Sequence, residues 1–226
     1  MIVLPLLATA VALVFGVHLA VRFARRRAPH EGLWSIAMLM YAGASAALAL
    51  GVLDGWSAGE FRVYWLLGAV LTVPYLAVGE LYLLARRQRR IAHLGLVVLA
   101  AASALAIAVV WIAPVDEGAL ATTFPSGREV LGDGTFAHRL APFYVWPTYT
   151  FLIAGSLWSA SRMRRDPALR DRFLGTALIA TGATIVAIGS GVGAVTGNFV
   201  LFSVSLAAGA AVTYWGFLVA TRRRPA

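Results

Sequence analysis

The stretch "VPYLAVGELYLLARRQRR", residues 73–90, decides the fold. An apolar run carries one carboxylate, Glu80, and then breaks into a cluster of arginines. Extended upstream, the run covers 63–85. That is close to the roughly 20 residues needed to cross about 30 Å of hydrocarbon. Lipid offers no hydrogen bonds to the backbone, so the segment must pair its own polar groups and is read as a membrane-spanning helix.

The same pattern recurs along the chain. Six further apolar runs lie near 2–21, 33–53, 91–113, 141–161, 173–194 and 199–220. Of 226 residues, 60% are hydrophobic and 13% are charged. An ordinary soluble domain has about 25% charged residues. Lipid must therefore cover much of this surface. The expectation is one all-α domain over 1–226, an integral membrane bundle of seven transmembrane helices.

Arginine placement orients the bundle. The formal net charge is +9, and all 19 basic residues are arginine. Arg22, Arg25, Arg26 and Arg27 follow the first run, and Arg86, Arg87, Arg89 and Arg90 follow the third. Arg162, Arg164, Arg165, Arg170 and Arg172 lie between the fifth and sixth, and Arg222, Arg223 and Arg224 follow the seventh. The other side has Arg62, Arg128 and Arg139. The positive-inside rule places the larger group in the cytoplasm, the N-terminus outside and the C-terminus inside. The charge is thus a topology signal, which argues against nucleic acid as a partner. Anionic lipid headgroups at the cytoplasmic clusters fit it instead. A bacterial plasma (inner) membrane is the expected location, with a membrane protein partner or a homo-oligomer as further possibilities. The first run has no basic leader, so an uncleaved helix is expected.

Several chemistries drop out. The chain has no cysteine, which removes thiolate catalysis and Cys-ligated metal centres. No HExxH, GxSxG or Asp-rich lipid-enzyme motif occurs, and a protein without its own chemistry is expected. One connection is long: "PVDEGALATTFPSGREVLGDGTFAHRL", residues 114–140. Its Gly132-Asp133-Gly134 centre suits a tight turn, and a small β-hairpin is expected in this outer loop.

Small residues mark the packing faces, because apolar side chains gain little from leaving lipid. Gly175, Gly182 and Gly189 recur every seven residues, with Gly193 one turn later. Gly43, Ala47 and Gly51 form a second stripe, and Ser205, Gly209 and Thr213 a third. Pro74 and Pro147 are expected to kink their helices.

Glu80 is the leading candidate for function. It lies six residues before Arg86, so about 9 Å of helix separates it from the cytoplasmic end. Carboxylates inside a span are functional candidates. His18, His93, Tyr214 and Ser156 fall at similar depth in other runs. Convergence of these faces would create a polar layer able to bind a ligand or pass a proton. His18 and His93 could also ligate haem or, with Glu80, a metal. The structural alternative is a Glu80 that is protonated, or paired with an arginine, and merely fastens helices. A second group, Tyr75, Trp146, Tyr149 and Phe151 with Tyr64 and Trp65, could line an outward-facing pocket. The candidate ligand-binding residues are therefore Glu80, Tyr75, Trp146, Tyr149, Tyr214, His18 and His93, with no catalytic residue assigned.

Three stretches carry a resemblance. "RAPHEGLWSIAMLMYA" (27–42), "RVYWLLGAVLTVPYLAVGELYLL" (62–84) and "LGTALIATGATIVAIGSGVGAV" (174–195) resemble a group of uncharacterised bacterial seven-helix membrane proteins. The plan also resembles rhodopsins and seven-helix receptors. These likenesses imply the fold and bring no assigned activity. Covalent retinal is excluded because the chain contains no lysine. The expected function is a small-ligand- or lipid-binding sensory or accessory module. The alternatives are a proton-coupled small-molecule transporter using Glu80 and a haem- or metal-binding subunit using His18 and His93.

Overall fold

A computed structural model describes residues 2–85, 87–164, 166 and 169–222. Arg86, Arg165, Arg223 and Arg224 of the arginine clusters lie outside the described residues. Helices α1 (Val3–Arg26) and α2 (Pro29–Asp54) are followed by α3 (Ala58–Tyr64), a π-helical segment (Trp65–Leu71) and α4 (Thr72–Leu84), wound as one continuous rod. Next come α5 (Arg89–Ile112), two short helices α6 (Glu117–Leu120) and α7 (Gly127–Leu131), then α8 (Phe136–Met163), α9 (Arg170–Thr196) and α10 (Phe199–Ala220).

Among the described residues, six helices are long and apolar enough to cross a membrane: 3–26, 29–54, 58–84, 89–112, 170–196 and 199–220. The chain is a multi-pass membrane protein. The seventh long helix, α8, has 28 residues but carries Pro142, Pro147, His138, Arg139 and several Trp and Tyr side chains. Its length suits a span, and its composition falls short of the other six.

No strand occurs among the described residues, so the hairpin expected in 114–140 is corrected to two short helices. Local capping explains the difference. Ser126 and Glu129 form a reciprocal capping box that starts α7, and Asp116 accepts from the Gly118 and Ala119 amides at the start of α6. Gly132 (φ 83°) and Gly134 (φ 76°) supply the positive φ that ends α7 and turns the chain into α8. The Gly-Asp-Gly turn is real, but it joins helices.

The long helices form a closed ring. In order around it, α1 packs on α2, α2 on α4, α4 on α8, α8 on α9, α9 on α10 and α10 on α1. The remaining one, α5, lies outside the ring against α4 and α8. It buries one stripe (Ala92, Leu99, Ser103, Ala106, Val110) and exposes Leu94, Val97 and Val98. Exposed apolar side chains of this kind are what a lipid-facing surface requires.

The tightest seam joins α9 and α10 and uses the stripes seen in the sequence. A Cβ added at Gly175 would lie 2.5 Å from the Ala220 amide nitrogen, and one at Gly193 would lie 2.8 Å from the Phe202 Cβ. Gly182 and Gly209 face each other's backbones, with Thr213 beside them. Every buried residue of α9 is a glycine. Gly43 and Gly51 of the second stripe instead make room for Leu67 and Trp56.

The seam yields a paired prediction. Gly182→Leu forces a side chain into the Gly209 and Thr213 backbones, and overpacking of this kind costs about 1–3 kcal/mol or more. Gly191→Leu, two turns along the same helix, meets open space, since a Cβ there has nothing within 4 Å. Unfolding midpoints in detergent are expected to fall clearly for Gly182→Leu and to stay near wild type for Gly191→Leu. Equal midpoints would show that the seam does not hold the ring together.

Candidate functional site

The ring encloses a cavity of about 430 Å³. All six ring helices contribute walls, whereas α5 contributes none. The wall is mostly apolar and aromatic, with Phe15, Trp34, Tyr41, Trp65, Tyr149 and Phe217 among its residues.

At the arginine-rich end the cavity reaches Glu80. This side chain is 6% exposed, and among the described residues it has no hydrogen bond or ion pair. Two glycines make the room around it. Gly79 leaves space for the Trp34 ring, and a Cβ at Gly155 of α8 would lie 3.3 Å from Glu80 Cγ and 3.4 Å from its Oε1. Ser156, also buried and without a hydrogen bond among the described residues, lines the same region.

Several of the wall's other donors are already engaged, whereas Ser45, Tyr64 and Ser190 show no side-chain hydrogen bond among the described residues. Tyr41 Oη donates to the Leu206 carbonyl at 2.9 Å, and Trp34 Nε1 to the Leu76 carbonyl at 3.1 Å. Thr213 Oγ1 donates to the Gly209 carbonyl at 2.8 Å. Thr72 Oγ1 donates to the Leu67 carbonyl at 2.6 Å, and its amide bonds the same oxygen. That bond closes the π-helical segment. The wider turn lies just before Pro74, which has no amide to donate, and lets the rod continue past it to Glu80.

The opposite end is capped. Trp65 packs under Gly127 of α7, stacks with His138 (centroids 5.9 Å apart) and donates to the Ala137 carbonyl at 3.4 Å. Trp56, Phe61 and Tyr64 pack around it as one aromatic cluster. The side is open instead. Trp146 and Pro142 of α8 and Gly191 and Ala194 of α9 line the cavity and are also exposed on the bundle surface. The cavity therefore reaches the exterior laterally, between α8 and α9.

The sequence candidates divide. Glu80, Trp146 and Tyr149 share the cavity, and Tyr149 Oη donates to Thr184 Oγ1 at 3.2 Å across the α8–α9 gap. Tyr75, Tyr214, His18 and His93 lie outside its lining. Tyr75 Oη accepts from Ser103 Oγ at 3.4 Å, between α4 and α5. His18 Nδ1 meets Tyr214 Oη at 3.3 Å, between α1 and α10, whereas His93 Nδ1 meets Tyr82 Oη at 2.9 Å, between α5 and α4. The expected polar layer does not assemble: each histidine pairs with its own tyrosine in a separate crevice. No group of three or more His, Asp or Glu residues that could hold a metal occurs among the described residues.

Sequence reading missed Trp34, Tyr41 and Thr72, which look like ordinary residues of apolar helices. It also missed the Arg22–Glu31 pair. Arg22 lies 2.9 Å from the buried Glu31 carboxylate, and its guanidinium sits 4.9 Å from the Phe217 ring centroid. The signal was available, since the two residues flank the short α1–α2 connection.

No protein-family model matches this chain, and neither a curated protein nor a solved structure matches it significantly.

The Arg22 contacts can be tested. Arg22→Ala strands a buried Glu31 and releases Phe217 from the cavity wall. Breaking a buried pair costs about 3–5 kcal/mol, and the partly exposed arginine sets the expectation at the low end. Arg22→Gln with Glu31→Gln is expected to recover most of the loss in detergent unfolding. A double variant as unstable as Arg22→Ala would show that the lost charge pairing is not the cause.

Proposed function

We propose that this protein is a small-ligand- or lipid-binding membrane module, serving as a sensor or accessory subunit rather than as an enzyme. The single observation that carries this reading is the laterally open cavity of about 430 Å³ inside the ring, lined mostly by aromatic and aliphatic residues. Small-molecule sites commonly occupy about 300–1,000 Å³ and have this kind of lining. In this reading α8 is the seventh span, because its 28 residues rise about 42 Å along the helix axis. Its aromatic and proline content serves the cavity wall. The arginine-rich ends face the cytoplasm of a bacterial cell and meet anionic headgroups of the inner membrane, and the α6–α7 cap faces outside. With the capped end shut, a ligand enters sideways between α8 and α9, from the membrane.

Transport is the second reading, favoured by the π-helical segment and Pro74 on the rod that bears Glu80. Irregular winding of this kind is a place where a helix can change register. Counterflow of a bound ligand in proteoliposomes would establish transport, and its absence would leave binding alone.

Native mass spectrometry of the protein extracted in mild detergent tests the binding reading. A discrete small-molecule or lipid mass is expected on wild type and is expected to be lost in Ala187→Phe, which fills the cavity from α9. A bare mass in both, or the same adduct in both, would overturn the reading. Lateral entry has its own test. Gly191→Trp is expected to slow ligand association at least about tenfold, a barrier change of about 1.4 kcal/mol, and unchanged association would rule out the α8–α9 route.

A further inference from the structure

We propose that the cavity receives an amphiphilic amine, with its ammonium group on the Glu80 carboxylate and its apolar body in the aromatic part of the chamber. The proposal rests on the binding reading above and names the ligand class.

The argument begins with what Glu80 lacks. It is nine-tenths buried, lines the cavity and has no hydrogen bond or ion pair among the described residues. Among the described residues, no arginine, lysine or histidine belongs to the cavity lining. Arg22 of α1 is held by Glu31. The hydroxyl and indole donors of Tyr41, Trp34, Thr72 and Thr213 are committed to backbone carbonyls. Ser156 can supply one neutral hydrogen bond and no charge. Among the described residues, the chamber therefore holds no cation to meet the Glu80 carboxylate.

Ligand chemistries differ sharply in how they meet that need. A carboxylate or phosphate headgroup would bring like charge into a low-dielectric space. An alcohol could donate one hydrogen bond but would leave the charge unbalanced. An ammonium group does both, and charge-assisted hydrogen bonds are about twice as strong as neutral ones. The surroundings suit a cation as well. Trp34 sits beside Gly79, and Phe15 and Phe217 belong to one cluster with Trp34 and Leu76 at this end of the bundle. Aromatic faces attract cations, more strongly when water is excluded. The rest of the wall offers almost only apolar surface, so the remainder of the ligand must be hydrocarbon or aromatic.

The test uses the full chain in phosphatidylcholine nanodiscs, with empty nanodiscs as the blank. Dodecylamine, dodecan-1-ol and dodecanoate are titrated against wild type and Glu80→Gln, reading saturable tryptophan fluorescence from Trp34, Trp65 and Trp146. Dodecylamine is expected to bind wild type at least about tenfold tighter than dodecan-1-ol, with dodecanoate weakest. Glu80→Gln is expected to lose that advantage while keeping its affinity for the alcohol. Equal binding of amine and alcohol to wild type would overturn the amine assignment and leave the cavity reading intact. Saturable binding of none of the three would overturn both. The wild-type comparison decides even if Glu80→Gln fails to fold, and an amine advantage that survives in a folded Glu80→Gln would place the ammonium elsewhere and overturn the proposal.

Discussion

Helix α9 packs backbone to backbone on α10 and less closely on α8, and the remaining architecture follows from that asymmetry. Lipid competes with apolar side chains, so helices associate where backbones can come close. Helix α9 places its glycines against α10 and buries nothing else. Its opposite side, with Ala183, Ala187 and Gly191, is too small to fill the distance to α8. The same choice of small residues that makes the α9–α10 seam therefore leaves a chamber in the ring and a gap beside it. The chamber follows from an allocation of side-chain volume, with bulk concentrated on α2, α4 and α8.

The rod from Ala58 to Leu84 solves a different problem. Pro74 would ordinarily strand a carbonyl one turn earlier and push the helix off axis. Here the π-helical turns absorb the mismatch, and the Thr72 hydroxyl reinforces the widened loop at Leu67. This keeps Tyr75 and Tyr82 toward α5 while Thr72, Leu76 and Glu80 remain toward the cavity. Gly79 then admits Trp34, whose indole bonds the Leu76 carbonyl. One helix thus carries a lipid-side partner face and a chamber face.

Much of this was legible in the sequence. Six of the seven expected spans followed from apolar length, and the small-residue stripes of α9 and α10 were visible as spacing, though not that they face each other. Glu80 stood out because a carboxylate within an apolar run is costly. Azimuth was not legible. His18, His93 and Tyr214 have the right depth, but depth fixes only one coordinate, and rotation about each helix axis pairs His18 with Tyr214 between α1 and α10 and sends His93 to Tyr82 between α5 and α4. The loop over 114–140 misled for a related reason. Asp-Gly marks a turn without stating what it joins, while the Ser126–Glu129 spacing marked a helix start and was the stronger local signal.

The placement of Glu80 is consistent with use more than with fastening. A residue that fastens helices gains by satisfying a partner within the protein, as Glu31 does with Arg22. Both acids are similarly buried, and the contrast between them is informative. Glu31 sits beside the arginine cluster and fixes the α1–α2 corner. Glu80 faces a chamber in which the Tyr41, Trp34, Thr72 and Thr213 donors have turned to backbone carbonyls, and Gly155 leaves room beside it. Among the described residues Glu80 lacks the partner that Glu31 has, and the amine proposed above would supply it.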